Sequence, residues 1–316
     1  MSGLKILFVW TGVTSYMADC WRALAAAPGV ELRLLVEPHD SGKEIDRDRV
    51  FQGLKVAFGD DLGNWTPDVI FAVGWHSPLV RSIVRRFPAV RKICCFDMPW
   101  RPKLRCVAAR FVLWRYLRQF EAAYVPGAAA AKYARWLGFR QIHTGLFSFD
   151  HSRFAPPIAA ANESALSNRR GFLYIGRHSS EKRLDILRRA YSRYRELGGV
   201  WKLDFYGGAN FVQPAEIPAV YHAHACLLLT SEFDPWPLVV LEAKAAGLAA
   251  IVSDRCGNAA ELGARAVPFG DVEAMAHAML EFEREPRQLC RDISRYDASA
   301  WTARTLAIAK GKGSGV

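Results

Sequence analysis

The sequence has no long apolar run, no paired cysteine motif, and one stretch of forty residues almost without acid. No window reaches the length of uncharged apolar sequence that a membrane span needs. The opening MSGLKILFVW loses its apolar run at Thr11, which disfavours a secretory signal. The seven cysteines (Cys20, Cys94, Cys95, Cys106, Cys226, Cys256, Cys290) are odd in number and show neither CxxC nor metal-ligand spacing. Reduced, mostly buried thiols in a cytoplasmic protein are therefore expected. No GxGxxG follows a strand-like run, which argues against a dinucleotide oxidoreductase. The GKGS of the tail has no strand before it and is no phosphate loop. The triplet Asp46-Arg47-Asp48 sits in the polar run HDSGKEIDRDR, not at the end of an apolar strand, so it does not read as a metal site. No aromatic-basic recognition module points to nucleic acid.

What is present is a chain of 316 residues, 51% hydrophobic and 23% charged, long enough for a large core in two domains. Its net charge of +11 is concentrated: residues 79–118 hold eleven Arg or Lys against the single acid Asp97, a local balance of +10. Such a segment attracts anions, whether nucleic acid, lipid headgroups or an acidic or diphosphate-bearing substrate, or it is simply a solvated surface. At 100° per residue, Arg115 and Arg118 share a side with Leu104 and Phe111, so permanent insertion into a membrane is disfavoured.

Short apolar runs alternate with helical spacing. Strands are expected at 5–10, 30–36, 68–73, 92–96 and 122–125, with a helix at 17–27. The stretch 155–170, rich in Ala, Pro, Asn and Ser, reads as a linker, after which the alternation resumes. The later half predicts strands at 171–175, 202–206, 225–230 and 249–252 and helices at 182–196, 235–246 and 272–282. This pattern makes an α/β protein with parallel sheets covered on both faces.

Two segments carry chemistry. In FLYIGRHSSEKRLDIL (172–187) a strand ends at Gly176, and Arg177 and Lys182 flank a polar turn that leads into a helix. Two cations beside a helix N-terminus form an anion site. In SEFDPWPLVVLEAKAAG (231–247) Asp234 is expected to cap a helix whose first residue is Pro235. Glu242 lies within that helix in an apolar setting, where a carboxylate needs a polar partner such as a hydroxylated ligand.

These two segments, with IVSDRCGNAAEL (251–262) and AVPFGDVEAMAHAML (266–280), resemble the motif blocks of family-4 retaining glycosyltransferases. The likeness is strong over 171–282 and weaker over 1–155. It implies two Rossmann-like domains facing a central cleft, the GT-B architecture. The expected division is 1–155 for the acceptor, 156–296 for a nucleotide-sugar donor, and a helix in 297–316 packing back on the first domain. By the same resemblance Arg177 and Lys182 hold the donor diphosphate, Glu242 accepts from the ribose, and Asp234 contacts the transferred sugar. Gly207 and Gly208 let backbone approach the nucleotide, and Gly12, Gly176, Pro237 and Leu238 are further donor-side positions.

The sequence departs from the family pattern at four points. Asp234 stands for a glutamate, Pro237 for a glycine, Gly12 is alone where glycines are often paired, and Phe96 stands where a histidine is usual. Asp97 and His76 are the candidate substitutes for that histidine. The implied activity is transfer of a UDP- or GDP-linked sugar to a glycan or lipid-diphosphate-linked acceptor at the inner membrane face, in bacterial surface polysaccharide or glycolipid assembly. No metal or other cofactor is expected. The alternatives are a nucleotide-sugar epimerase of the same fold and a catalytically silent nucleotide-sugar-binding partner.

Overall fold

A computed structural model describes residues 3–12, 15–37, 47–57, 62–155, 169–286 and 292–312. Most of the expected linker, Asp46 of the acidic triplet, Cys290 and the end of the tail lie outside these residues. The chain divides into two compact units, residues 1–150 with 294–316, and residues 151–293.

The first unit is built on β1 (Leu4–Thr11), β2 (Val30–Glu37), β3 (Val56–Ala57), β4 (Val69–Val73), β5 (Arg91–Cys95), β6 (Ala122–Val125) and β7 (Gln141–Thr144). All pair in parallel, in the order β3-β2-β1-β4-β5-β6-β7. A strand buried on both faces reads as a continuous apolar run, and β1 does so. Its alternate side chains serve opposite layers. Leu7 and Val9 join Ile83 and Val84 of α3 (Pro78–Arg86) and Tyr133 and Leu137 of α6 (Ala128–Leu137) in one cluster. On the other face Phe8 stacks on Phe71 with ring centroids 4.6 Å apart. Phe8 also meets Trp21 of α1 (Ser15–Ala25) and Trp301 of α11 (Ala298–Ala309). The fully buried Trp301 donates through Nε1 to the Leu146 carbonyl at 2.7 Å, which ties α11 to the sheet. The remaining helices of this unit are α2 (Arg47–Val50), α4 (Leu104–Val112) and α5 (Trp114–Leu117).

The second unit holds β8 (Phe172–Ile175), β9 (Leu203–Tyr206), β10 (Cys226–Leu229), β11 (Ala249–Ser253) and β12 (Arg265–Val267). They form a parallel sheet in the order β12-β11-β10-β8-β9. Its helices are α7 (Leu184–Glu196), α8 (Ile217–His222), α9 (Leu238–Ala245) and α10 (Val272–Arg284). Strand order reverses direction at β8, with β9 on one side and β10 on the other. Connections leaving neighbouring parallel strands at such a point leave a crevice at their carboxyl ends, where open α/β sheets bind ligands.

The described cysteines are reduced and buried. Among the described residues, no helix is long and apolar enough to cross a membrane.

Candidate active site

The segment after β8 turns through Gly176, at φ 154°, and a short 3-10 turn at Ser180–Lys182. The helix expected from Lys182 begins at Leu184 instead. Arg183 takes the left-handed conformation, φ 49° and ψ 51°, and breaks the helix there. It is the single positive-φ residue other than glycine among the described residues. A left-handed L-residue costs about 1–2 kcal/mol, so tertiary contacts must hold it. Its carbonyl accepts from Thr230 Oγ1 at 3.0 Å, and its guanidinium grips Asp185 through two bonds of 2.9 Å.

The helix after β10 is also shifted. Asp234 does not cap it: α9 starts at Leu238, with Pro237 at the capping position and no side-chain cap. Both prolines explain the delay, because a residue preceding proline is pushed out of the helical region. Asp234 and Trp236 are those residues. Freed from capping, Asp234 meets Lys182, with Nζ 2.5 Å from Oδ2 and side chains 15% and 12% exposed. Tyr174 Oη donates to the Arg177 carbonyl at 2.7 Å. Burial pushes the Tyr174 hydroxyl well up, reinforced by Asp234 and opposed by Arg177. Arg177, Lys182 and Asp234 therefore surround the carboxyl ends of β8 and β10. Arg177 is largely exposed, its guanidinium 3.3 Å from Glu181. Cys256, in a parallel bridge with Asp234, has its thiol pushed up to about 12 by burial and then by the Asp234 charge.

Gly207 and Gly208 follow β9 and do have a steric reason. A Cβ on Gly207 would lie 1.9 Å from the Gly176 carbonyl oxygen, and one on Gly208 would lie 2.6 Å from His178 Nδ1. Their backbones, at φ 114° and 55°, close the turn after β9 against the turn after β8.

Glu242 sits one turn into α9, and its polar partner is Tyr221 of α8, whose hydroxyl donates to Oε2 at 2.8 Å. Burial raises the Glu242 carboxyl above its ordinary range, while Tyr221 and the Arg153 charge pull the other way. Neither Tyr221 nor Arg153 was marked by the sequence: the partner of Glu242 lies 21 residues away on another helix. Pro237 is held from behind, its carbonyl accepting from the buried Asn258 at 2.9 Å.

Gly12, His76 and Asp97 belong to the first unit. Gly12 ends β1 at φ 82°. His76 and Asp97 line one cavity of about 580 Å³, together with Trp10, Tyr16, Glu37 and Trp75. The cavity opens at the carboxyl ends of β1, β4 and β5, where the first sheet reverses its strand order. Phe96 borders it but is 5% exposed and packs on Trp75, Tyr133 and Phe139. The aromatic wall comes from separate strand ends, which no local spacing signals.

Residues 209–299 match the family model for glycosyl transferases group 1. That span includes Asp234, Pro237, Leu238 and Glu242 and begins after Arg177 and Lys182. No curated protein matches the sequence. Among solved structures, the chain is similar to Anabaena HepE in complex with UDP and glucose, at 15% identity and TM-score 0.63, covering 98% of this chain and 95% of that one. It is similar to a sucrose-phosphate synthase from Thermosynechococcus elongatus, at 15% identity and TM-score 0.69, covering 97% and 98%. It is also similar to the lipopolysaccharide outer core galactosyltransferase WaaB in its apo form, at 16% identity and TM-score 0.68, covering 98% and 100%. At these identities the likeness is one of fold, the GT-B fold of two parallel-sheet units.

Proposed function

Starting from a chain that carries a glycosyl transferases group 1 segment on a GT-B fold, we propose that it is a retaining hexosyltransferase using a UDP- or GDP-sugar. The observation that carries this reading is the pairing of Lys182 with Asp234 where the β8 and β10 connections meet, beside Arg177 and on the approach to α9. An ammonium has three N–H donors, so Lys182 keeps its bond to Asp234 and still reaches a phosphate oxygen. Arg177 supplies the second cation. Asp234 Oδ1 then accepts from a hydroxyl of the sugar, and Glu242, oriented by Tyr221, accepts from the ribose. In the transfer, an acceptor oxygen attacks the anomeric carbon from the face the phosphate leaves. The carbon–phosphate oxygen bond breaks, the hydroxyl proton passes to the departing phosphate, and the two cations stabilise its growing charge.

The acceptor reading uses the cavity of the first unit. Its aromatic walls and the carboxylates Glu37 and Asp97, with no Lys or Arg among the lining residues, suit a neutral sugar ring. Anionic parts of the acceptor, such as a lipid diphosphate, then fall to the basic segment 79–118. On this reading the enzyme acts in surface polysaccharide or glycolipid assembly at the inner membrane face.

The test is a thermal-shift screen of nucleotide sugars followed by product analysis on lipid-linked and free glycans, with and without EDTA. A donor present far above its dissociation constant adds several kcal/mol of stability, roughly 3–4 at 100- to 1,000-fold excess. No shift with any nucleotide sugar sinks the reading, and activity lost to EDTA and restored by manganese sinks its metal-free form. One observation favours a silent binding partner instead: Phe96 is committed to the core at the position where the family pattern named above has a histidine. Donor binding by calorimetry with no turnover on any acceptor supports that alternative. An epimerase would convert donor without acceptor, but it needs general acids and bases around the sugar, and this reading commits both carboxylates to donor binding.

A further inference from the structure

Six large apolar side chains are exposed among the described residues, and four of them fall within 104–114: Leu104 at 85%, Phe111 at 67%, Val112 at 77% and Trp114 at 49%. They stand on α4 and α5, whose inner sides are seated on the first unit through Cys106 and Leu117. Leu104 and Phe111, seven residues apart, share one outward side of α4. Lys103, Arg105, Arg110, Arg115 and Arg118 interleave with them, and from Met98 to Phe120 there is no acid. Among the described residues none of Arg105, Arg110, Arg115 and Arg118 pairs with a carboxylate. Beside this ridge lies a cavity of about 380 Å³ whose rim carries Arg110, Arg118 and Arg140 and whose walls include Trp114, Phe120 and Phe139. The one acid there, Glu121, is already held by Arg91 at 2.7 Å, which keeps its carboxyl below the ordinary range.

We propose that this face of the first unit docks on the anionic phospholipid surface of a bilayer. Leu104, Phe111, Val112 and Trp114 enter the headgroup–acyl boundary, and Arg110, Arg118 and Arg140 hold a headgroup phosphate in the cavity. The sign of the charge favours an anionic bilayer over a protein partner. From Met98 to Phe120 the segment carries cations and no acid, a one-signed field that complements a uniformly anionic surface, and its arginines and apolar tips share one outward side. That arrangement suits an interface at which long cationic stems bring their heads to the phosphates while apolar tips sink past them. Four short contacts without a span give reversible, peripheral binding. The inference leans on the reading of a membrane-presented acceptor for its purpose, not for its test.

The test is co-sedimentation of the full chain with vesicles of phosphatidylcholine alone and of phosphatidylcholine with phosphatidylglycerol, at ~0.1 M and ~1 M salt. Binding to the anionic vesicles alone at the lower salt is expected. Arg115→Ser with Arg118→Ser lowers the partition about fivefold per arginine removed. Phe111→Ser with Val112→Ser abolishes whatever binding survives in high salt, with unchanged circular dichroism and melting, since both side chains are exposed. Absence of binding to anionic vesicles, or equal binding by these variants, overturns the proposal. So does a dimer, seen in sedimentation equilibrium, that the same apolar substitutions dissolve. Vesicle binding involves no donor, so its failure with the nucleotide-sugar thermal shift intact removes this inference alone, and the converse removes the catalytic reading alone.

Discussion

The pairing of Lys182 with Asp234 can be tested by a double-mutant cycle. At 2.5 Å and an effective dielectric constant near 20, the bare attraction is about 7 kcal/mol. Two side chains only 15% and 12% exposed have surrendered much of their hydration, which takes back most of that gain. A net coupling of about 1–3 kcal/mol remains, the range for contacting residues of one network. Lys182→Met leaves a desolvated carboxylate without its cation, and Asp234→Asn leaves the ammonium with a neutral acceptor. Each single change is expected to lower the melting temperature of the second unit by several degrees, at roughly 2–4 °C per kcal/mol for a domain of this size. The double variant is expected to lose less than the sum of the two. Urea or thermal unfolding reads stability, and nucleotide-sugar titration reads donor affinity. In that titration Lys182→Met costs roughly 10- to 150-fold, the equivalent of about 1.5–3 kcal/mol for one bond to a charged group. Strict additivity of the two stability losses would refute the pairing, and unchanged donor affinity in Lys182→Met would refute its use.

Three further outcomes are expected. Glu242→Gln stabilises the second unit more at pH 8 than at pH 5. The raised carboxyl favours the folded state while protonated and loses that contribution as pH rises through its folded value. The same variant weakens donor binding, and the melting temperatures of both forms at the two pH values check the sign. Tyr221→Phe removes the 2.8 Å bond to Glu242 and costs about 1.5–3 kcal/mol of stability by urea unfolding, leaving a part-buried carboxylate short of a donor. Gly207→Ala sets a methyl group 1.9 Å from a carbonyl oxygen at a φ of 114°. That exceeds 2 kcal/mol or prevents folding, and a variant melting like the parent contradicts the turn geometry.

The alternation of strands and helices could be read in the sequence because strands buried on both faces are continuous apolar runs. FLYI (172–175) and CLLL (226–229) announce themselves without their neighbours. The cationic turn was equally legible, since Gly176, Arg177 and Lys182 are close together in the chain. Helix starts were less so. Periodicity counted Pro235 as helical, but the two prolines deny helical geometry to Asp234 and Trp236, and that moved Asp234 from a capping role to an ion pair. Arg183 breaks a run that composition alone would continue, because its conformation is set by Thr230 from a distant connection. Contacts of this kind, 47 residues apart for Arg183 and 21 for Glu242, leave no trace in local spacing. The same limit hid the cavity of Trp10, Trp75 and Asp97, assembled from the ends of three strands. The anionic acceptor inferred from charge needed division once that lining was known: carboxylates and aromatic rings inside it, arginines elsewhere on the unit.

The route by which α11 completes the first unit orders events during translation. Residues 151–293 form a continuous block, whereas the sheet made from residues 1–150 receives Trp301 and the rest of α11 only after that block has left the ribosome. The lobe synthesised first is thus the one finished last, its aromatic face around Phe8 and Trp21 bare for the time it takes to make some 150 residues. At about 5–20 residues per second that is an interval of roughly eight to thirty seconds. Chaperone dependence of the nascent chain should concentrate there, and clipping α11 from finished protein should melt the lobe that was made first.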